Sequence, residues 1–582
     1  MRTLVRPVGI AAAALALVAF LPMLLDEYTI NILVRSCLFA VMALTVDVLW
    51  GYSGFLTFGQ SAFFGAGAYA AALCFTTFGY SPGIALLSLG CAVGAAALIA
   101  LVQGWLSFYH GATPLYASVV SLVVPVVATQ LLFSGGTFTG SSSGLTGYDV
   151  MDLSSEEWFY LAGAFLVLTT LCGWLFVCSD AGRVLTALRD NEARCSYLGL
   201  NVPMLRIALL VATAAVAAIA GWLYAGSSGV VAPELTGFVL GTEAVIWVAL
   251  GGRGTLIGPV IGAVVIDVTS AYLSGSLPFL WKLIVGVAFI LVIVALPQGL
   301  IPAIGVRLRR LLPAAPAATI PVLVAAPTLP RAASDGIAVD LVEVARNFGS
   351  LAVLQGITFQ ARPGELVSLI GPNGAGKTTL MRCLSDGTER SGGTIRLRGH
   401  DIRRLPPHRC VAYGLGRKFQ TALVFDTLTV AECLRIACTR RERPSFWRRS
   451  TMLALPEAAL GILRATGIDQ LLDREARLLS HGQKQSLELA MVMALDPSVV
   501  LLDEPTAGLT RPERMRIGTI LTDLVANNGL CLLLVEHDLD FVREISSRVV
   551  VLHQGRLVLD GTVGDVVASD LVRAIYSGEL HG

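Results

Sequence analysis

Gly371-Pro-Asn373-Gly374-Ala-Gly376-Lys377-Thr378-Thr379 follows the apolar run Leu366-Val-Ser-Leu-Ile370 and opens a segment of helical composition. A glycine-rich loop between a strand and a helix is a phosphate cradle, because its backbone N–H groups and the helix N-terminus attract phosphate oxygens. In that setting Lys377 is placed to reach the β and γ phosphates, and Thr378 to ligate Mg2+. Val499-Val-Leu-Leu-Asp503-Glu504 reads as a second buried strand, ending in two carboxylates. Asp503 is expected to hold the Mg2+ shell and Glu504 to orient or deprotonate an attacking water. Together the two elements specify an α/β nucleotidase with a phosphate loop.

The rest of the chain is different material. Its 582 residues carry a net charge of +1, yet 55% are hydrophobic and the mean hydropathy is +0.71. Both figures lie far above a soluble average. No Lys or Arg occurs between Arg35 and Arg183. The absence of a dominant basic stripe argues against a nucleic-acid partner. The eleven cysteines are scattered without metal-site spacing and read as reduced packing residues. About 20 apolar residues cross a bilayer. Candidate spans are 8–25, 31–50, 60–79, 83–104, 115–134, 158–178, 205–225, 238–252, 255–273 and 279–304. The third and eighth are Gly-rich or short. The first reads as a retained helix, since no small-residue cleavage site follows it. Arg2 and Arg6 place the N-terminus inside, the acidic loop 135–157 lies outside, and Arg183, Arg189, Arg194 and Arg206 place 180–206 inside. Arg307, Arg309 and Arg310 close the last span inside as well, so ten spans deliver the remainder of the chain to the cytoplasm.

Two stretches read as interrupted helices: Gly51 to Gly67, and Gly251-Gly-Arg253-Gly254. They fit a solute pathway and close packing through small residues equally well. Glu243 and Arg253 are ionisable groups in apolar surroundings and are the pathway candidates. A structural ion pair, with each other or with Asp47 or Asp267, fits them as well. Gly182 to Gly199 is amphipathic, with Leu185, Leu188 and Glu192 at helical spacing. Alone it reads as a surface helix; beside a nucleotidase it reads as a coupling helix near 183–199, with Arg183, Arg189 and Glu192 as its charged contacts. The expected domains are a membrane domain over 1–305, an Ala/Pro-rich linker over 306–337 and a nucleotide domain over 338–582. A nucleotide engine fused to apolar spans points to ATP-driven transport.

Further motifs carry a resemblance. Leu479-Ser480-His481-Gly482-Gln483 resembles the signature of ATP-binding cassettes, with His where Gly is commoner. Gln420, in Gly416-Arg-Lys-Phe-Gln420, stands where the cassette's metal- and water-sensing glutamine belongs, and His537, in Leu534-Val-Glu-His537, where its switch histidine belongs. Phe348 resembles the aromatic that stacks on adenine. Thr510 stands where cassettes often carry Asp. The resemblance implies a polytopic α-helical membrane domain followed by an ABC-type ATPase. It also implies that ATP is sandwiched between two cassettes, with Ser480, Gly482 and Gln483 acting on the partner's site.

The first 305 residues resemble a permease of the high-affinity branched-chain amino acid and amide import family. The supporting runs are Gly51-Tyr-Ser-Gly54, Phe58 to Tyr69, Ser143 to Gly147, Gly182 to Gly199, Glu243 to Thr255 and Leu296 to Leu300. Residues 47–52, 243–255, 416–420 and 479–485 look closest to the urea and short-chain amide branch. The resemblance implies a bacterial plasma (inner) membrane location with the ATPase cytoplasmic. It further implies an extracellular or periplasmic solute-binding protein, and a second permease and second ATPase, or a second copy of this chain. Fusion of the two parts departs from the family's usual separate chains. An exporter half-transporter, or an ATP-gated channel or sensor, is the alternative.

Overall fold

The computed structural model describes the chain outside residues 1, 110–113, 277–278, 281–282, 284–285, 288–289, 292–293, 297, 310–319, 328–335, 507 and 578–582. Contacts divide it into two units. One comprises 1–189, 203–317 and 446–448; the other comprises 190–202, 318–445 and 449–582.

The first unit is helical: α1 (Arg2–Phe20), α2 (Glu27–Asp47), α3 (Gln60–Phe78), α4 (Pro82–Phe108), α5 (Pro114–Ser134), α6 (Ser155–Cys178), α7 (Asp180–Asp190), α9 (Val202–Ser228), α10 (Phe238–Gly251) and α11 (Ile257–Ser276). Among the described residues seven helices are long and apolar enough to cross a membrane. They coincide with the second to seventh and the ninth expected spans. The first and eighth correspond to shorter apolar helices, Val8–Leu24 and Phe238–Gly251. The tenth lies partly outside the described residues. The central helix is α2, in which every residue from Ser36 to Asp47 is buried. Its apolar side chains share a core with α6, α10 and α11.

Several of the glycines in the first interrupted stretch prove to be packing devices. A Cβ at Gly67 would lie 2.1 Å from the carbonyl oxygen of Ala218, and one at Gly221 1.8 Å from that of Phe64. Only glycine lets α3 and α9 approach so closely. The two interruptions also meet. The chain leaves α2 through a π-helical turn, Val48–Tyr52. Asp47 Oδ1 accepts from the Gly254 amide (2.6 Å) and Oδ2 from the Leu256 amide (3.0 Å), while the Tyr52 hydroxyl donates to the Gly254 carbonyl (2.8 Å). Backbone that leaves the helix between α10 and α11 thereby finds partners that lipid cannot supply. Asp47 is thus a backbone cap, while Asp267 pairs with Arg35 at 3.1 Å.

The expected single coupling helix is two helices. Asn191 is extended and its side chain accepts from the Arg194 amide (2.8 Å), ending α7 and starting α8 (Glu192–Tyr197). An Asn side chain competes with helical hydrogen bonds in this way. Arg183 and Arg189 lie on α7 in the first unit, whereas Glu192 lies on α8 in the second.

The second unit holds two larger sheets. A six-stranded sheet has the order β14 (Arg556–Gly561), β13 (Arg548–His553), β6 (Leu366–Ile370), β12 (Cys531–Val535), β11 (Val499–Asp503) and β9 (Leu415–Lys418). All its pairings are parallel except β13 with β14. The antiparallel sheet runs β5 (Leu351–Ala361), β4 (Val339–Phe348), β7 (Gly392–Leu397) and β8 (His400–Asp401). Side chains from both sheets form one core. The expected linker is not wholly a spacer. Its Val-Leu-Val-Ala run forms β3 (Val322–Ala325), parallel to β10 (Met452–Leu455). A β-branched apolar run can satisfy its backbone by adding to a sheet edge, and that outweighs the surrounding Ala/Pro bias.

Removing the Asp47 carboxylate orphans two amides, at roughly 1–3 kcal/mol each. In thermal unfolding of the detergent-solubilised protein, Asp47→Ala is expected to melt below Asp47→Asn, and Asp47→Asn below the parent. An unchanged melting temperature in Asp47→Ala would refute the capping role.

Candidate active site

The phosphate loop springs from β6, all five of whose residues are buried. Its first glycine, Gly371, has φ +150°, and a Cβ there would lie 2.1 Å from the Leu552 carbonyl oxygen. Gly376 has φ +98°, a backbone conformation that favours glycine, and the helix Lys377–Ser385 begins directly after it. Lys377 Nζ donates to the Gly371 and Pro372 carbonyls, at 2.7 and 3.0 Å. Burial pulls the Lys377 pKa down, opposed by the charges of Glu504 and Asp503. Asn373, Gly374 and Thr378 are exposed and Thr379 is half-buried.

Burial pushes the Asp503 pKa up, against the charge of Arg417 and a hydrogen bond from the Thr378 side chain. The Asp503 Oδ1 atom is buried with no hydrogen-bond partner among the described residues. A desolvated carboxylate beside a threonine hydroxyl fits a hard divalent cation, so Thr378 and Asp503 would hold Mg2+ here, and the metal would neutralise phosphate charge.

Glu504 follows β11 in a left-handed conformation, φ +45°. Strain of this kind at a non-glycine residue persists only where the surroundings over-determine it. Its amide donates to the Val535 carbonyl on the neighbouring strand (2.9 Å). Glu504 Oε1 accepts from Gln420 Nε2 at 3.0 Å and lies 3.0 Å from His537 Nε2. Gln420 and His537 therefore converge on one oxygen of Glu504, and these are the three residues that the sequence reading grouped as catalytic. A carboxylate so held can align a water and accept its proton, while His537 and Gln420 fix its direction.

Ser480, Gly482 and Gln483 stand apart from this cluster. Ser480 is exposed and caps the helix His481–Ala494: its Oγ accepts from the Gln483 amide (3.3 Å), and Gln483 Oε1 accepts from the Ser480 amide (3.0 Å). Their bonds close on each other, leaving the serine at an outward-facing helix N-terminus. Phe348 ends β4, 48% exposed, with the Arg346 guanidinium 4.5 Å above its ring. A cation over one ring face is a contact that sequence reading did not anticipate.

Glu243 lines a cavity of about 1300 Å³ in the helical unit, together with Arg35, Gln130, Glu234, Asp267 and the rings of Phe39, Tyr224 and Trp247. Arg253 does not line it. Its guanidinium sits 5.2 Å from the Trp50 ring centre. Of the two pathway candidates, Glu243 thus faces the cavity from within α10, while Arg253 lies beyond the helix end at Gly251, against Trp50.

Sequence reading missed a buried charge cluster. Glu488, in Leu487-Glu488-Leu489-Ala-Met-Val-Met, is fully buried, as are Lys418 and Arg194. Burial raises the Glu488 pKa and lowers that of Lys418, and Arg194 and Lys418 oppose the shift at Glu488. The available signal was a single carboxylate inside an apolar helical run, since such groups are seldom buried without a partner.

Residues 28–294 match the family described as the permease component of the branched-chain amino acid transport system, and residues 354–507 match the ABC transporter family. The high-affinity branched-chain amino acid transport ATP-binding protein BraF of Pseudomonas aeruginosa is 35% identical over 241 residues, 40% of this chain and 94% of that protein. LivG of Escherichia coli K12, of the same description, is 36% identical over 243 residues, again 40% and 94%. A solved nucleotide-free cassette from an ABC transporter is 25% identical, covering 41% of this chain and 98% of that one, with TM-score 0.36.

Glu504→Gln is expected to lower ATP hydrolysis by about 10²–10⁴-fold while leaving ATP bound, as read by phosphate release and by retained labelled nucleotide. Lys377→Ala is expected to lose nucleotide retention as well. Parental turnover in Glu504→Gln would overturn the role given to that carboxylate.

Proposed function

The chain belongs to the ABC transporter family, with a permease of the branched-chain amino acid transport type and an ATP-hydrolysing cassette in one polypeptide, and from that premise we propose that it imports a small polar solute, urea or a short-chain amide. The observation that carries turnover is the convergence of Gln420 and His537 on Glu504 Oε1, beside Lys377 and the Thr378–Asp503 pair. A sensor with an inert cassette would have no need of that arrangement. The amide branch is supported by the runs at 47–52, 243–255, 416–420 and 479–485. Branched-chain amino acids are the second reading, supported by the names of BraF and LivG.

In this reading two cassettes close on ATP, and the outward-facing Ser480 and Gly482 of each meet the nucleotide of the other. The partner is a second permease with its ATPase, or another copy of this chain. A solute-binding protein delivers cargo at the outer face of the bacterial inner membrane, and the cassette works in the cytoplasm. Arg183, Arg189 and Glu192 are the coupling residues. Arg189 has a concrete contact: its Nη1 donates to the Gly51 carbonyl at 2.8 Å. Gly51 in turn abuts Gly254, as a Cβ on Gly51 would lie 2.6 Å from the Gly254 amide. A shift of α7 would therefore be felt at both interrupted stretches, and the α10–α11 junction is where the path would switch. Glu243 and Arg253 flank that path. ATP and loaded binding protein must favour different states for the cycle to do work.

Uptake of labelled urea and of labelled leucine, into vesicles carrying the chain with its binding protein, tests the solute. Urea alone is expected to accumulate with ATP. Leucine accumulation would select the second reading. Arg189→Glu is expected to cut uptake at least about tenfold with ATP hydrolysis kept within about twofold, and equal losses of both would refute its coupling role.

A further inference from the structure

Arg194 sits in the middle of α8 with no exposed surface, and Glu488 opposite it is equally buried. Burying two charges is costly, and a pair of well-packed apolar residues would often serve stability as well or better. The bonds made by this pair show what it accomplishes instead. Arg194 Nη1 donates to Glu488 Oε1 (3.3 Å) and to the Arg417 carbonyl (3.0 Å), and Nη2 donates to the Glu488 carbonyl (3.2 Å). Glu488 Oε1 also accepts from the Phe419 amide (3.3 Å). One turn earlier on the same helix, Gln485 Nε2 donates to the Gln420 carbonyl (3.0 Å). The backbone at 419 and 420 is therefore held by the helix that Ser480 opens, and the backbone at 417 by the Arg194 guanidinium of α8. A second line of contact runs beside it: the Arg417 guanidinium bonds the Ser385 hydroxyl and lies 4.4 Å from the Phe419 ring centre, and Tyr197 of α8 meets Phe419 edge-on at 4.8 Å. The side chain that emerges from this clamped backbone is Gln420, whose amide reaches Glu504.

We propose that Arg194 is a positioning residue for ATP hydrolysis: through Glu488 and the Arg417 carbonyl it fixes the exit of β9 that presents Gln420 to the Glu504 carboxylate. The planar fork of arginine suits three acceptors on two elements, which a lysine could not span. Arg194 has no exposed surface and acts through Glu488 and the Arg417 carbonyl. The proposal rests on the ATPase alone, so it stands or falls separately from the solute assignment.

The test uses the full-length protein in lipid vesicles with Mg-ATP as the titrant. Arg194→Met alone strands the Glu488 charge and is expected to destabilise the fold. Arg194→Met with Glu488→Gln removes both charges together, and the amide oxygen of Gln still accepts from Phe419. This double variant is expected to melt cooperatively near the parent temperature. Its kcat is expected to fall about tenfold or more, with KM for ATP changed less than about twofold. Arg194→Lys is expected to show the same kcat-only defect in weaker form. Parental kcat in the double variant would overturn the proposal, as would a fall in kcat matched by an equal rise in KM. Loss of its cooperative melt would overturn it too, since the pair would then hold the fold and not the geometry.

Discussion

Four adjacent parallel strands end on the same side of one sheet, and the chemistry of the chain depends on that constraint. The loop after β6 is the phosphate cradle, β11 delivers Asp503 and Glu504, β12 delivers His537, and β9 delivers Gln420. Open parallel sheets bind ligands beyond their carboxyl ends because only there do loops from neighbouring strands converge. The strands β6, β11 and β12 are buried along their whole length and are mostly aliphatic. Gln420 and His537, 117 positions apart in sequence, thus meet at one oxygen of Glu504.

The helical unit answers a different constraint with a related device. A bilayer offers no partner to a backbone that leaves its helix, so each interruption must be satisfied from within. Here a carboxylate at the end of α2 supplies two acceptors to the junction of α10 and α11, and small residues let the two pieces touch. An irregular segment held by a few polar bonds inside an apolar frame is a place where two backbone arrangements can differ little in free energy. That property suits a moving part better than a continuous helix would.

Much of this was legible in the sequence, and what was not has a physical reason. The phosphate loop, Asp503, Glu504, Gln420 and His537 are visible because each needs a specific residue next to a strand of recognisable composition, and the structure brings Gln420, Glu504 and His537 together. The spans are visible because hydropathy over some 20 residues is a strong signal, weakest for the 14-residue α10. What escaped were pairings between distant residues. Nothing about Arg194 taken alone distinguishes a docked, buried guanidinium from an inside-facing surface charge, and orientation by basic residues treats both alike. Asp47 was weighed as an ion-pair partner, yet it binds amides, because backbone donors leave no trace in side-chain identity. The break at Asn191 turned on one side-chain acceptor, which helical periodicity over the flanking residues conceals.

The short strand β3 sets a limit on how this polypeptide could be divided. Among the described residues, Met452–Leu455 pairs with β3 alone, in a two-stranded ladder. A cassette excised at the point where its composition turns ordinary, near residue 338, would leave that apolar edge bare, with unpaired amides and carbonyls ready to template against another chain. Four residues that look like part of a tether are therefore a strand of the nucleotide unit's own fold.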